Sequence, residues 1–168
     1  MTFNKESRTH KTDAYLALLE RHKGILYKVA RSYATGMEID DLVQDICLQL
    51  WGSFERYDDR FAESTWVYRI ALNTCISAYR KEKRRETSAT DVMHILHPAV
   101  DRDQERLDEL YKMIQTLKEI DRALLLLYLE GKDHKEIALI MGYTETNVST
   151  RLSRIRNELK SMTNTLNK

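Results

Sequence analysis

The residues best suited to chemistry in this chain sit in the stretch 133–160, DHKEIALIMGYTETNVSTRLSRIRNELK. Asn147, Thr150, Arg151 and Arg154 follow one another there at intervals of three, one and three, and so share one side of a helix. Amide, hydroxyl and guanidinium groups presented together are the set that hydrogen-bonds base edges and phosphates when a helix lies in a major groove. The opposite side carries Val148, Leu152, Ile155 and Leu159 as one apolar stripe. A short helix must come before it. Asp133 with Glu136 three residues on makes a capping-box pair, and Ile137, Ala138 and Met141 fall on one face. Gly142 suits a turn that needs positive φ, Thr144 can cap the second helix, and Glu145 sits where the helix dipole favours an acid. The pattern predicts a helix-turn-helix; its plainer alternative is a helical hairpin with a solvated basic face.

A second constellation lies upstream. Arg69, Asn73, Ser77 and Arg80 line one face of a helix expected from about residue 64 to 80, which runs into Lys81, Lys83, Arg84 and Arg85. Five of the six residues from Arg80 to Arg85 are basic, and Tyr57 and Phe61 stand in the polar loop 55–63 just before the helix. Cations, aromatics and an amide close together suit a nucleic-acid backbone with exposed bases beside it, although a charge run also suits a solvated helix end. A third set, Asp41, Gln44, Asp45 and Leu48, forms the outer strip of a helix expected over 39–54. Acids flanking an exposed apolar residue fit a protein-docking face, and equally a plain solvated face. A metal would need a histidine or a third carboxylate nearby, which the sequence does not place there. His94 and His97 have an HxxH spacing but lack two further ligands. No nucleophilic serine context or acidic triad occurs, so neither an enzyme nor a metal or other cofactor is expected.

The elements that must position these groups are helical. Among 168 residues there are five glycines and one proline, and no stretch alternates polar and apolar residues. Both features favour an all-α fold. Twenty-seven basic against 26 acidic residues give a net charge of +1, so affinity for a polyanion must come from local clustering. No run of about 18 apolar residues exists, and the first residues, MTFNKESRTHKTD, lack the apolar core of a secretory signal. No membrane insertion is expected. Cys47 and Cys75 are single thiols inside helical patterns and read as small apolar residues in a reducing cytoplasm.

In order, a polar, frayed tail is expected over the first dozen residues, then a helix from about 13 to 32 with Tyr15, Leu18, Leu26 and Val29 inward and His22 at the core edge. The helix over 39–54 turns Leu42, Val43, Ile46, Leu50 and Phe54 inward. That over 64–80 turns Trp66, Ile70, Ala71, Thr74 and Ala78 inward. Residues 86–103, with Pro98, form the one candidate linker. From about 104, Leu107, Leu110, Tyr111, Ile114 and Leu117 make another stripe. Asp121 then opens the nearly continuous apolar run RALLLLYLEG, buried on most sides and ended by Gly131. The expected architecture is two small helical domains joined by a flexible linker, the second holding the helix-turn-helix.

Three stretches, IDDLVQDICLQLW, FAESTWVYRIALNTCISAYRKEKRR and LEGKDHKEIALIMGYTETNVSTRLSRIRNEL, resemble the signature segments of bacterial extracytoplasmic-function sigma factors, small members of the main RNA polymerase sigma family. The resemblance covers about residues 15–159 in the family's order. It implies a domain over 13–85 that recognises the minus-ten promoter element, a linker over 86–103, and a domain over 104–160 that recognises minus-thirty-five. It implies that Asp41, Gln44, Asp45 and Leu48 dock on the beta-prime clamp helices of core polymerase, the second domain meeting the beta flap. Phe61 and Asn73 would hold bases flipped from the non-template strand, beside Arg69, Arg80, Lys81 and Arg84. Asn147, Thr150, Arg151 and Arg154 would face the upstream element. An anti-sigma factor is an implied partner. Two departures stand out: Leu117-Lys118-Glu119 replaces the family's frequent Pro-Glu turn, and Thr146-Asn147-Val148-Ser149 replaces Gly-Thr-Val-Lys or Gly-Thr-Val-Arg, which weakens one phosphate contact. A stand-alone helix-turn-helix regulator, binding operators as a dimer, would leave the Gln44–Asp45 strip and the aromatic loop unexplained. A recombinase or nuclease with this DNA-binding tail would need catalytic residues that the sequence does not supply.

Overall fold

The structure is a computed structural model that describes residues 3–86 and 102–166, with side-chain surroundings for residues 10–86 and 105–161. Among the described residues the regular structure is helical: α1 (Phe3–Tyr33), α2 (Ile39–Ser53), a single 3-10 turn (Phe54–Arg56), α3 (Glu63–Glu86), α4 (Arg102–Thr116), α5 (Glu119–Leu129), α6 (His134–Met141) and α7 (Glu145–Leu166). The all-α expectation holds. The linker residues 87–101, with His94, His97 and Pro98, lie outside the described residues.

Helices α1, α2 and α3 pack on one another around Leu18, Leu26, Val29, Leu42, Ile46, Leu50, Val67 and Leu72, all essentially inaccessible. Each such aliphatic side chain stabilises the fold by about 1.5–3 kcal/mol relative to exposure. Cys75 belongs to this core, where burial first and the charge of Asp45 second push its thiol up to about 12, so it acts as an apolar filler. Cys47 is half-buried, and Tyr15 donates its hydroxyl to the Cys47 carbonyl. A second cluster, around Leu124, Leu127, Ile137, Val148, Leu152 and Ile155, joins α5, α6 and α7.

The two clusters are continuous, because α1 packs on α4 and α5, and α3 on α5 and α6. Tyr33, fully buried at the end of α1, donates its hydroxyl to the Glu119 carbonyl at the start of α5. Arg122, 2 % exposed, lies beside it. Its Nε donates to the Leu117 carbonyl at 2.8 Å and one Nη to Tyr79 Oη at 3.1 Å, with its guanidinium 4.3 Å from the Tyr79 ring centre. A buried guanidinium needs such acceptors, since an unpaired charge away from water is costly. Gln115 Nε2 donates to the Arg31 carbonyl at 2.9 Å, and Glu130 accepts from Lys28 Nζ at 2.8 Å and Tyr68 Oη at 3.3 Å.

Several expectations change. Residues 3–12 are not a frayed tail: α1 begins at Phe3, and Lys11 lies 4.7 Å from the Trp51 ring centre while paired with Glu55 at 2.6 Å, which ties the extension to α2. Helix α3 runs six residues past Arg80, to Glu86. Its fully buried positions are Thr65, Val67, Tyr68, Ala71, Leu72, Cys75 and Ile76, whereas Trp66, Ile70, Thr74 and Ala78 are only half-buried. The inner face is rotated because α3 is covered by α1 and α2 on one side and by α5 and α6 on another. Of the expected stripe only Ile114 on α4 and Leu117 just past its end are buried, while Leu107 and Leu110 are exposed. That helix packs on α1 and α5 alone among the closely packed neighbours. Helix α5 opens at Glu119, after an N-cap at Lys118, so Asp121 is a buried first-turn residue rather than its opener.

Candidate nucleic-acid interface

The hairpin of α6 and α7 is built by its caps. The Asp133 carboxylate accepts from the Glu136 amide at 2.7 Å, and the Glu136 side chain accepts from the Asp133 amide at 3.1 Å, so two otherwise orphaned donors are satisfied reciprocally. Gly142 takes φ 71°, the left-handed region that ends α6. Thr144 Oγ1 accepts from the Asn147 amide at 3.2 Å and starts α7. Val148, Leu152 and Ile155 are buried and Leu159 half-buried, so the opposite face of α7 must look outward. There Asn147, Thr150 and Arg154 are exposed, and with Thr144, Thr146 and Arg151 they line an open cleft of about 440 Å³. Arg151 is half-buried, held by Asn147 Oδ1 and by Asp121.

The upstream constellation is partly covered. Arg69, Asn73, Ser77 and Arg80 share a face of α3, and the structure places that face opposite α5 and α6. Between them is a cavity of about 250 Å³, whose far wall is Ile120, Ile140, Met141 and Tyr143. Arg69 donates to the carbonyls of Leu139, at 2.6 Å, and Ile140, at 3.4 Å. Arg80 pairs with Glu119 at 3.2 Å. The amide at its own helix start, and then Arg80, outweigh partial burial and hold the Glu119 carboxyl below the usual range. Asn73, Lys81 and Arg84 are exposed. Phe61, 37 % exposed, stands in the loop before α3, where Tyr57 donates its hydroxyl to the Phe61 carbonyl at 2.7 Å and packs 5.1 Å from Trp66. Glu63 at the start of α3 accepts from His22 Nε2 at 2.7 Å and from Arg21 at 2.9 Å. Burial would raise this carboxyl, but those donors outweigh it and hold it lower than usual.

On α2, Asp41, Gln44, Asp45 and Leu48 are all exposed and adjacent, as their spacing requires, with Leu48 67 % accessible. Trp51 continues the strip one turn on. No grouping of three or more metal-ligating side chains occurs among the described residues. Nor is any helix among them long and apolar enough to cross a membrane.

Tyr33 is buried on the apolar side of the first helix, as its spacing predicts, but its bond to Glu119 was missed. So were the roles of Glu119, Arg122 and Glu130 in joining the halves and of Asp121 and Tyr143 in holding Arg151. One signal was available: Arg122 heads the apolar run RALLLLYL, one turn before Leu125 and Leu126 on the same face, where a charge must find buried acceptors.

Two helical units, one ending in a helix-turn-helix with a polar reading face, define a DNA-binding transcription protein. Comparison with known families gives the same answer in finer terms. Residues 18–85 match sigma-70 region 2, and residues 107–159 match sigma-70 region 4. The RNA polymerase sigma factor NccH of Alcaligenes xylosoxydans xylosoxydans is 27 % identical over 89 % of this chain and 86 % of its own length. The ECF RNA polymerase sigma factor SigM of Mycobacterium tuberculosis is 29 % identical over 92 % of this chain and 79 % of its own. The fold is also that of the sigma factor RpoE, solved in complex with the anti-sigma factor NepR from Bartonella quintana: the TM-score is 0.71 at 22 % identity, over 90 % of this chain and 97 % of that one. The chain belongs to the sigma-70 family and is an RNA polymerase sigma factor of the extracytoplasmic-function type.

Proposed function

We propose that residues 13–85 recognise and hold open the minus-ten element, that residues 104–160 read minus-thirty-five, and that residues 86–103 link them. In this reading Asp41, Gln44, Asp45 and Leu48 dock on the beta-prime clamp helices of core polymerase, and the second unit meets the beta flap. Phe61 and Asn73 receive unstacked bases while Arg69, Arg80, Lys81 and Arg84 hold the adjoining backbone. Asn147, Thr150 and Arg154, with Arg151 among them, face the upstream major groove. The protein works without chemistry of its own, in the cytoplasm where polymerase is. The observation that carries the reading is the co-occurrence of an exposed acidic-apolar strip on α2 with a separate exposed groove-reading face on α7. A stand-alone regulator has use for the second alone.

Because Arg69 and Arg80 already bind acceptors on α5 and α6, promoter engagement requires α3 to separate from those helices. An anti-sigma factor is a fitting partner, since RpoE, a sigma factor of this fold, was solved with the anti-sigma factor NepR, and CnrH, of the same fold, with the cytosolic domain of CnrY.

The test is co-purification. Gln44→Ala together with Asp45→Ala should abolish capture of core polymerase and leave helical content intact. Both residues are exposed, so stability should move by about 0.5 kcal/mol or less. Unchanged capture would remove the docking assignment.

A further inference from the structure

Arg151 occupies a position on the groove-reading face, yet its guanidinium is committed elsewhere. Its Nε donates to Asn147 Oδ1 at 2.9 Å, and its Nη1 donates to Asp121 Oδ1 at 3.2 Å. The guanidinium carbon lies 5.6 Å from the centre of the Tyr143 ring. The side chain of Asp121 is only 10 % accessible, and Arg151 is the cation paired with it. If Arg151 swung out to a base, it would leave a carboxylate buried without its counter-charge. Breaking a buried pair in this way costs more than one base contact returns. Asn147, by contrast, is exposed at the mouth of the cleft, and Thr144 fixes its backbone.

We propose that Arg151 is a positioning residue whose task is to orient the Asn147 amide, and that Asp121 on α5 sets this orientation from outside the recognition helix. With Oδ1 turned toward Arg151, the Asn147 amide offers its NH2 group to the groove. An asparagine that reads adenine uses its oxygen and nitrogen together, accepting from N6 and donating to N7. Here Oδ1 is turned toward Arg151 and gives one of its two lone pairs to it, so the NH2 group is the end left to face a base and Asn147 acts chiefly as a donor. The matching base edge is one that presents acceptors only, and guanine, with O6 and N7 side by side, is the richest of these. Asn147 therefore selects guanine at one position of the upstream element. Thr150 and Arg154 carry no such internal tether to α5 and remain direct contacts.

This inference rests on α7 being the minus-thirty-five reader, and the experiment separates the two. Holoenzyme assembled from core polymerase and the full chain would transcribe a promoter library randomised across the upstream element, with transcripts counted by sequencing. Wild type, Asn147→Ala, Arg151→Ala, Asp121→Asn and the Asn147→Ala/Arg151→Ala pair would be compared, with thermal melting of each. Asn147→Ala should flatten a preference on the order of tenfold at one position. Arg151→Ala and Asp121→Asn should flatten that same position, and the double variant should go no further than Asn147→Ala. A purely structural defect would instead depress all sequences alike, which would overturn the proposal. So would an Arg151→Ala effect at a different position, which would make Arg151 a reader itself. A uniform loss with a shallower salt dependence would make it a phosphate anchor. Arg154→Ala serves as the reference: if neither it nor Asn147→Ala alters preference at any position, α7 is not the reader and the proposal falls with that assignment, whereas a position altered by Arg154→Ala but not by Asn147→Ala overturns the proposal alone.

Discussion

Replacing Tyr33 by Phe and Glu119 by Gln together should loosen the junction that covers the basic face of α3. Tyr33→Phe deletes a fully buried hydroxyl that donates to the Glu119 carbonyl, while keeping the ring that lies edge-on to Tyr79. One such hydrogen bond contributes about 0.5–1.5 kcal/mol net. Glu119→Gln removes the charge opposite Arg80, whose side chain is 54 % accessible, so screening limits that pair to about 0.2–1 kcal/mol. The sum, about 0.7–2.5 kcal/mol, corresponds to a rise of roughly 3- to 70-fold in the ratio of separated to packed halves. Apparent affinity for a ligand of the separated state rises with its population, so the free protein should bind a single-stranded minus-ten oligonucleotide tighter by about that factor. Fluorescence anisotropy at fixed salt reads the affinity, and amide exchange in α6 reads the separation. Faster exchange with unchanged affinity would refute the idea that α5 and α6 cover the minus-ten surface. Unchanged exchange would show that these two contacts do not hold the halves together.

Arg154→Ala should weaken binding to the upstream element by about 1–3 kcal/mol and relax preference at one base pair, read by competition titrations with single-base variants of the element. An equal loss on every sequence would instead make Arg154 a backbone contact. Glu63 gives an acid-dependent signature. Its carboxyl titrates lower when folded than its ordinary value of 4.5, so its contribution to stability is present above that pH and is lost as pH falls through the folded value. Glu63→Gln should therefore be less stable than wild type at neutral pH, with the deficit closing in acid. Urea melts of both proteins at pH 7 and pH 3 would check this, and a deficit of the same size at both would count against the His22–Glu63–Arg21 tie.

Local features were legible in the sequence because they are written within a few residues of one another. The Asp133–Glu136 capping box, the left-handed Gly142, the Thr144 cap and the stripe Val148, Leu152, Ile155 all formed as read. So did the exposed α2 strip. What stayed hidden depends on contacts between distant segments. The rotated inner face of α3 follows from having neighbours on two sides, and helical periodicity alone does not reveal a second neighbour. Arg69 meets α6, 70 residues along, and Arg80 meets Glu119, 39 residues along, so no spacing rule could pair them. The start of α1 is hidden in the sequence because its polar first turns carry no apolar stripe; Lys11 finds Trp51 and Glu55 only after the chain folds back.

What separates a sigma factor from other helix-turn-helix proteins is the capture of unpaired bases, and Asn73 is the residue on which that step can be tested most sharply. It is exposed on α3 beside the cavity, and its side chain offers both a donor and an acceptor to a base edge. Extruding a base costs a few kcal/mol, which a fitted pocket must return. Permanganate reactivity of minus-ten thymines should therefore be measured with holoenzyme made from wild type and from Asn73→Ala, on a matched promoter and on one already mismatched across the minus-ten region. Wild type should open both templates, whereas Asn73→Ala should capture core polymerase normally, fail on the matched template and recover in part on the mismatched one. Opening of the matched promoter by Asn73→Ala to the wild-type extent would contradict the proposed role of α3 in melting.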